Sequence, residues 1–266
     1  MNNKFTLLNA IASLACVLLV ALCLAAPASG QAKDDAQAKK PIRILFVGNS
    51  YTSVNNLPVM IQKLAAADKE CRPVEFKAVT PGGYAFQRHF DEEKAGTRKA
   101  IAEGKWDLVV MQEQSQMPFM YPDATLDYGK KLGALVKESG ARPLLYLTWS
   151  RENQPENQAK LNDAYVKLGK LLGADVAPVG PAWESARKER SELGLYMNDK
   201  SHPSPAGTYL AACVFHAVLQ GKTPAGLPGR IVASENARPL ADLPQKDAAF
   251  LQKIAWDTVQ VWKKQE

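Results

Sequence analysis

IRILFVGNSYT, residues 42–52, is a short, largely apolar run that stops at Gly48 and continues with small and polar side chains. The run has no helical spacing, so it predicts a strand buried on both faces rather than an amphipathic helix. In open α/β sheets the chemistry lies just beyond the carboxyl ends of the strands. The residues after Val47, and Ser50 among them, are therefore the first candidates for a functional site.

The rest of the chain alternates between short apolar segments and segments with helical spacing. Four further strands are predicted at residues 74–79, 107–111, 143–148 and 175–179. Helices are predicted at residues 57–67, 86–103, 125–138, 157–172, 182–191, 205–219 and 247–264. This alternation is typical of a sheet covered by helices on both sides. The sequence thus predicts an α/β fold, a three-layer αβα sandwich around a five-stranded, mostly parallel sheet.

The composition of the 266 residues suits a soluble globular protein: 46% are hydrophobic and 23% are charged. These values exclude a disordered chain and a polytopic membrane protein. The net charge is +6, but acidic and basic residues are interspersed. Because no basic stripe is interleaved with aromatic residues, we expect no nucleic-acid partner.

The N-terminus has the three-part pattern of a secretory signal peptide. Lys4 precedes an apolar run at residues 14–26, and small residues follow. The run is shorter than the ~20 residues of a membrane span. We expect cleavage after Ala28, a secreted or periplasmic protein, and membrane association only if the leader is retained. The predicted division is a signal peptide at 1–28, a flexible spacer at 29–41, the main domain at 42–220, and a C-terminal arm and helix at 221–266 docked on that domain.

Two cysteines, Cys71 and Cys213, remain after the leader, and the sequence is compatible with a disulfide between them or with buried thiols. No Gly-Lys-Ser/Thr follows the first strand, which excludes a phosphate-binding P-loop. The nearest approach to a metal-ligand spacing, His89 with Asp91, suits a solvated helix face better. We therefore expect no metal and no cofactor, and the oligomeric state stays open.

A serine nucleophile requires a base and an acid that orients the base, and the sequence has three histidines. His216 falls in an apolar helix and is expected to be packed. His89 falls in a charged helix, where a solvated or capping role is expected. His202 lies in a loop, three residues after Asp199, so one turn of chain can bring carboxylate and imidazole together. The sequence predicts Ser50, His202 and Asp199 as a catalytic triad.

These residues resemble the SGNH or GDSL-type hydrolases over most of residues 42–220. Gly48-Asn49-Ser50 is similar to the family's first block, Gly82-Gly83 to its second, and Asp199 with His202 to its last. The resemblance implies a flavodoxin-like sandwich with Ser50 as nucleophile. It also implies an oxyanion hole made by the backbone N–H groups of Ser50 and Gly83 and by a side-chain amide.

The third block departs from the family pattern because its usual asparagine is absent. The amides available there are those of Gln112, Gln114 and Gln116. Gln116 is nearest the expected place by count, whereas Gln114 is closer to the end of the strand. Both remain candidates for the oxyanion hole.

The resemblance implies a secreted serine esterase that hydrolyses a carboxylic ester through an acyl-enzyme. Its partner would be a small-molecule or carbohydrate ester, with O-acetyl groups on carbohydrate as one class. Two alternatives stay open: an O-acyltransferase acting on a saccharide, and a non-catalytic carbohydrate-binding protein, which the missing asparagine motivates.

Overall fold

The computed structural model describes residues 39–264. The predicted signal peptide and most of the predicted spacer lie outside the described residues.

The central sheet has five strands in the order β2-β1-β3-β4-β5, and every neighbouring pair is parallel. The strands are β1 (Ile42–Val47), β2 (Val74–Val79), β3 (Leu108–Met111), β4 (Arg142–Leu147) and β5 (Asp175–Pro178). The predicted α/β sandwich is thus confirmed, with a sheet that is wholly rather than mostly parallel. Because parallel strands need long crossovers, each strand is followed by helical chain before the next.

Helices cover both faces of this sheet. They are α1 (Ser50–Ser53), α2 (Leu57–Ala67), α3 (Phe86–Asp91), α4 (Thr97–Glu103), α5 (Met117–Met120), α6 (Pro122–Glu138), α7 (Gln158–Leu172), α8 (Val179–Glu189), α9 (Pro205–Gln220) and α10 (Gln245–Lys263).

The two apolar cores follow from the alternation of side chains along β1. Ile44 and Phe46 pack into one core with residues of α2, α8, α9 and α10, whereas Leu45 and Val47 pack into the other with residues of α3, α4, α6 and α7. These four side chains are at most 1% exposed. Burial on both faces explains why the strand reads as an almost continuous apolar run.

One predicted helix is broken. Residues 86–103 form α3, a 3₁₀ turn and α4 rather than a single helix, and Gly96 adopts a φ of +70° between the last two. Such a left-handed conformation favours glycine and ends the preceding helical turn. The break folds α4 back beside α3.

The C-terminal segment adds a short antiparallel hairpin, β6 (Arg230–Ile231) with β7 (Ala241–Asp242), before α10. Leu251 and Ala255 of α10 are buried in the same core as Phe46. Cys71 and Cys213 are both buried and free. Among residues 39–264, no helix has the length and apolar character that a membrane crossing requires.

Candidate active site

Ser50, His202 and Asp199 meet at the carboxyl edge of the sheet. Ser50 begins α1, separated from the end of β1 by Gly48 and Asn49, and the other two belong to the loop that precedes α9. His202 Nε2 lies 2.8 Å from Ser50 Oγ, and His202 Nδ1 is hydrogen-bonded to Asp199 Oδ2. The structure therefore brings together three side chains that span 152 positions of sequence between Ser50 and His202.

Asp199 fixes which nitrogen of His202 carries the proton. Its Oδ1 accepts the backbone N–H groups of Ser201 and His202, each at 3.0 Å, which leaves Oδ2 for the imidazole. The hydrogen bond from His202, with those two amides, lowers the pKa of Asp199 to about 2. An ionised carboxylate only accepts, so Nδ1 donates to it and Nε2 presents its lone pair to the Ser50 hydroxyl.

A stack of aromatic rings positions the loop that carries His202. Tyr51, Trp149 and Trp183 lie nearly parallel, with ring centroids 4.8 and 3.8 Å apart along the stack. The Tyr51 hydroxyl lies 2.7 Å from Ser201 Oγ, and Trp149 Nε1 donates to the Ser201 carbonyl at 3.0 Å. Because Tyr51 follows Ser50 directly in sequence, the residue next to Ser50 also holds the loop that carries His202.

Asn49 holds the turn that presents Ser50. Its Oδ1 accepts the Tyr51 N–H at 3.0 Å, and its Nδ2 donates to the Tyr84 carbonyl at 2.9 Å. An aspartate could not make the second bond because an ionised carboxylate has no donor. The departure from Gly-Asp-Ser to Gly48-Asn49-Ser50 thus has a local reason, since the Asn49 amide links the turn that carries Ser50 to the loop that carries Gly83.

His89 is a positioning residue that the sequence did not reveal, and the expected solvated role is wrong. Its side chain is fully buried, with Nε2 2.8 Å from the Gly48 carbonyl and Nδ1 2.7 Å from Thr97 Oγ1. A carbonyl only accepts, so Nε2 carries the proton. Burial lowers the pKa of His89 to about 4, which keeps the ring neutral. His216, as expected, is packed in α9.

The cavity in front of Ser50 has a volume of about 210 Å³ and contains two of the three predicted oxyanion groups besides Ser50. Gly83 lies in a tight turn closed by the Tyr84 N–H and the Pro81 carbonyl, with a φ of +70°. That conformation costs little only for glycine. The lining residues are Asn49, Ser50, Tyr51, Gly83, Gln114, Ser115, Arg151, Ser201 and His202.

Of the candidate glutamines, Gln114 lines this cavity, and Gln112 and Gln116 are not among its lining residues. Gln112 is buried, and its Oε1 accepts the Asn49 N–H and the Thr52 hydroxyl, each at 2.9 Å. Gln116 N donates instead to Gln114 Oε1 at 2.8 Å. Since the carbonyl of Gln114 is occupied in this way, its NH₂ group is the part left to donate to a substrate.

The oxyanion role that the resemblance implies for Gln114 predicts that Gln114→Glu lowers kcat for ester hydrolysis by about 10²-fold, because a carboxylate keeps the acceptor but replaces a donor to the oxyanion by a negative charge. Gln116→Glu is the matched control and should stay within about twofold of the wild type. Steady-state kinetics with 4-nitrophenyl acetate measure both. A larger loss in Gln116→Glu would move the oxyanion role to that residue.

Glu113 connects the two loops that carry Gly83 and Gln114. Its Oε1 accepts the backbone N–H groups of Phe86 and Gln114, at 2.9 and 2.6 Å. Its side chain is buried, and burial raises its pKa from the ordinary 4.5 to about 7. No sequence pattern distinguished this carboxyl from the glutamines around it.

The raised pKa makes stability depend on pH in a defined direction. The folded state holds the Glu113 proton more tightly than the unfolded state, so this contribution is complete below pH 4.5 and is lost as the pH rises to about 7. Glu113→Gln keeps the acceptor and removes the titration. We expect the stability of the wild type relative to this variant to fall by about 3 kcal/mol between pH 4.5 and 8, measured by urea denaturation. A difference that is constant with pH would contradict the assignment.

A second cluster of potential metal ligands lies outside the active site. The Cys71 thiol donates to Asp68 Oδ2 at 3.2 Å, and His216 Nε2 is 3.9 Å from Cys71 Sγ. These are residue types that bind zinc. Lys222 Nζ, however, lies 3.7 Å from the same Asp68 oxygen and already balances its charge. The charge of Asp68 is thus balanced within the chain, whereas His216 Nδ1 is buried without a hydrogen-bond partner among the described residues.

The chain is similar to several proteins of known structure, although no protein-family model and no curated sequence matches it. A protein of Slackia heliotrinireducens assigned as an SGNH hydrolase is 30% identical, with a TM-score of 0.58 over 66% of this chain and 98% of that one. A Bacteroides uniformis protein from a family named only as a domain of unknown function is 20% identical, with a TM-score of 0.64 over 83% and 95%. An acetyl xylan esterase is 12% identical, with a TM-score of 0.56 over 67% and 100%. The last two similarities concern the fold alone.

Proposed function

The chain belongs to the SGNH/GDSL-type hydrolase superfamily, and from that membership and the geometry at Ser50 we propose that it is a serine carboxylesterase. The observation that carries the proposal is the 2.8 Å contact between His202 Nε2 and Ser50 Oγ, with Asp199 on the other ring nitrogen. This is the arrangement in which a neutral imidazole can take the hydroxyl proton.

The proposed reaction proceeds through an acyl-enzyme. Ser50 Oγ attacks the ester carbonyl as its proton passes to His202 Nε2, and Asp199 stabilises the imidazolium. The backbone N–H groups of Ser50 and Gly83 and the amide of Gln114 meet the negative oxygen. His202 then gives the proton to the departing alcohol, and a water molecule releases the acid by the same steps in reverse.

A small acyl group on a polar alcohol is the substrate class we propose, with O-acetyl groups on carbohydrate as the leading example. The cavity of about 210 Å³ suits a short acyl chain, and polar side chains form much of its wall. One of the structurally similar proteins is an acetyl xylan esterase, which is consistent with this class.

The direct test combines reaction and labelling. We expect the protein to hydrolyse 4-nitrophenyl acetate. Across a series of 4-nitrophenyl esters, kcat/KM should fall as the acyl chain lengthens from acetyl to octanoyl. A fluorophosphonate probe should label one site, which peptide mapping locates at Ser50. Glycan binding without labelling would instead indicate a non-catalytic protein, and transfer of acetyl to an added saccharide would indicate an acyltransferase.

We also propose that the protein is exported and that residues 1–28 are removed. Expression of the full chain in a bacterial host, followed by intact-mass measurement of the periplasmic fraction, tests this. The expected mass is that of a chain that begins at Ser29. If the protein is recovered with the membrane fraction and its mass includes the leader, the protein is anchored instead.

A further inference from the structure

Arg151 is a charged residue of the active-site cavity that the reaction described above does not use. It lies four residues after the end of β4, so the neighbouring β3 and β4 both deliver polar groups to the same edge of the sheet. Arg151 lines the cavity together with Ser50, Gln114 and His202. Arginine at this place therefore adds a permanent positive charge to the cavity that Ser50 also lines.

The guanidinium of Arg151 has no partner among the described residues. Its Nε is buried without a hydrogen bond, and no described carboxylate forms an ion pair with it. Asp199, the acidic residue of the catalytic loop, already gives both oxygens to His202 and to backbone amides. An unpaired, partly desolvated cation lowers the stability of the folded protein. Such a cation is therefore a candidate for binding an anionic ligand.

The backbone on both sides of Arg151 is held firmly. Ser150 N donates to Gln158 Oε1 at 2.8 Å, the Arg151 carbonyl accepts the Gln154 N–H at 2.9 Å, and Glu152 N donates to the Lys200 carbonyl at 2.9 Å. The last bond joins this segment to the loop that carries His202. The origin of the Arg151 side chain is consequently fixed relative to the triad, as specific recognition requires.

We propose that Arg151 binds a carboxylate of the substrate, so that the preferred substrate is an ester whose alcohol or acyl part is itself an acid, such as an O-acylated sugar acid. This inference rests on the proposed esterase function. A guanidinium presents a planar fork of donors that matches a carboxylate with two parallel hydrogen bonds. The neutral polar groups of Ser115 and Ser201 on the same wall suit a hydroxylated substrate beside that anion.

The test uses two pairs of esters that differ in charge but little in shape. The first pair carries the charge on the alcohol: 4-acetoxybenzoate against its methyl ester. The second carries it on the acyl part: mono-4-nitrophenyl adipate against 4-nitrophenyl hexanoate. We expect the wild type to favour the anionic member of one pair, and the responding pair identifies which side of the ester Arg151 contacts.

Arg151→Gln should lower that preference, expressed as the ratio of the two kcat/KM values, by about 10- to 100-fold, with most of the change in KM. Arg151→Lys keeps the charge but not the planar fork of donors, so its ratio of kcat/KM values should lie between those of the wild type and Arg151→Gln. Lys130→Gln removes an exposed cation of α6 that does not line the cavity, and it should leave the ratio unchanged because it alters only the net charge.

The outcomes separate this inference from the proposed function. If Arg151→Gln slows both members of each pair equally, or if the wild type shows no anionic preference in either pair, carboxylate recognition is overturned while the esterase remains. If the wild type hydrolyses none of the four esters and resists the fluorophosphonate probe, the proposed function fails and the inference with it.

Discussion

Ser50→Ala is expected to lower kcat for ester hydrolysis by at least about 10⁴-fold while the protein remains folded. The side-chain oxygen of Ser50 has one hydrogen-bond partner among the described residues, His202 Nε2. Its removal therefore deletes the proposed nucleophile and leaves the contacts of the surrounding turn in place. The residual rate would come from substrate binding and the oxyanion donors alone.

Ser53→Ala is the matched control for this variant. Ser53 lies in the same short helix α1, but it is exposed and does not line the cavity. We expect wild-type kinetics for Ser53→Ala and thermal unfolding within a few degrees of the wild type for both variants. A purified, folded Ser50→Ala protein that hydrolyses 4-nitrophenyl acetate at the wild-type rate and still reacts with the fluorophosphonate probe would show that another residue is the nucleophile.

The sheet and the meeting of Ser50 with His202 were predictable because both follow from local patterns. Strands β1, β3, β4 and β5 are short, mainly apolar runs whose residues are mostly buried, a pattern that can be recognised without any tertiary information. The edge strand β2 is the exception, since only Val74 of its six residues is buried. Parallel strands then place their carboxyl ends along one edge, so polar residues after β1 and β3 had to converge. His202 could be chosen because the other two histidines lie in helical segments.

The roles of the supporting residues His89 and Glu113 could not be predicted, because they depend on tertiary contacts rather than on local patterns. The role of His89 depends on Gly96, whose left-handed conformation breaks the predicted helix and turns Thr97 toward the imidazole. A helical pattern read through residue 96 places His89 on a solvated face instead. Glu113 is distinguished from its neighbours only by the tertiary contacts of its carboxyl with Phe86 N and Gln114 N.

The choice between Gln114 and Gln116 depended on a side-chain contact that no spacing encodes. Counting from the strand favoured Gln116. Its backbone N–H, however, donates to the side-chain carbonyl of Gln114, and the chain enters α5 at the next residue. Gln114 lines the cavity with Ser50, and its side-chain carbonyl accepts the backbone N–H groups of Gln116 and Met117, so its NH₂ group is the part left to donate. Two residues of sequence thus separate a candidate oxyanion donor from a helix-starting residue.

Asp199→Asn is expected to lower kcat by about 10³-fold at neutral pH, because it reverses the proton position on His202. In this variant the side-chain carbonyl would remain on the two backbone N–H groups that Asp199 Oδ1 accepts, so the new NH₂ would occupy the position that faces His202 Nδ1. A ring nitrogen that faces a donor must be unprotonated. The proton of the neutral ring then lies on Nε2, where it points at Ser50 Oγ and prevents that nitrogen from acting as a base.

The loss of activity in Asp199→Asn should extend over the whole pH range of the assay. The pKa of Asp199 is about 2, so in the wild type the carboxylate is ionised throughout an assay from pH 5 to 9, and its own titration cannot shape the profile. Steady-state kinetics over that range should show a lower plateau for Asp199→Asn.

The double variant with Ser50→Ala should be no slower than Ser50→Ala alone, since residues that act as one unit lose their effect together. Asp123→Asn, an exposed carboxylate of α6, serves as the control. An Asp199→Asn protein that keeps more than a tenth of the wild-type kcat would mean that His202 finds its tautomer without Asp199, and the third member of the proposed triad would have to be withdrawn.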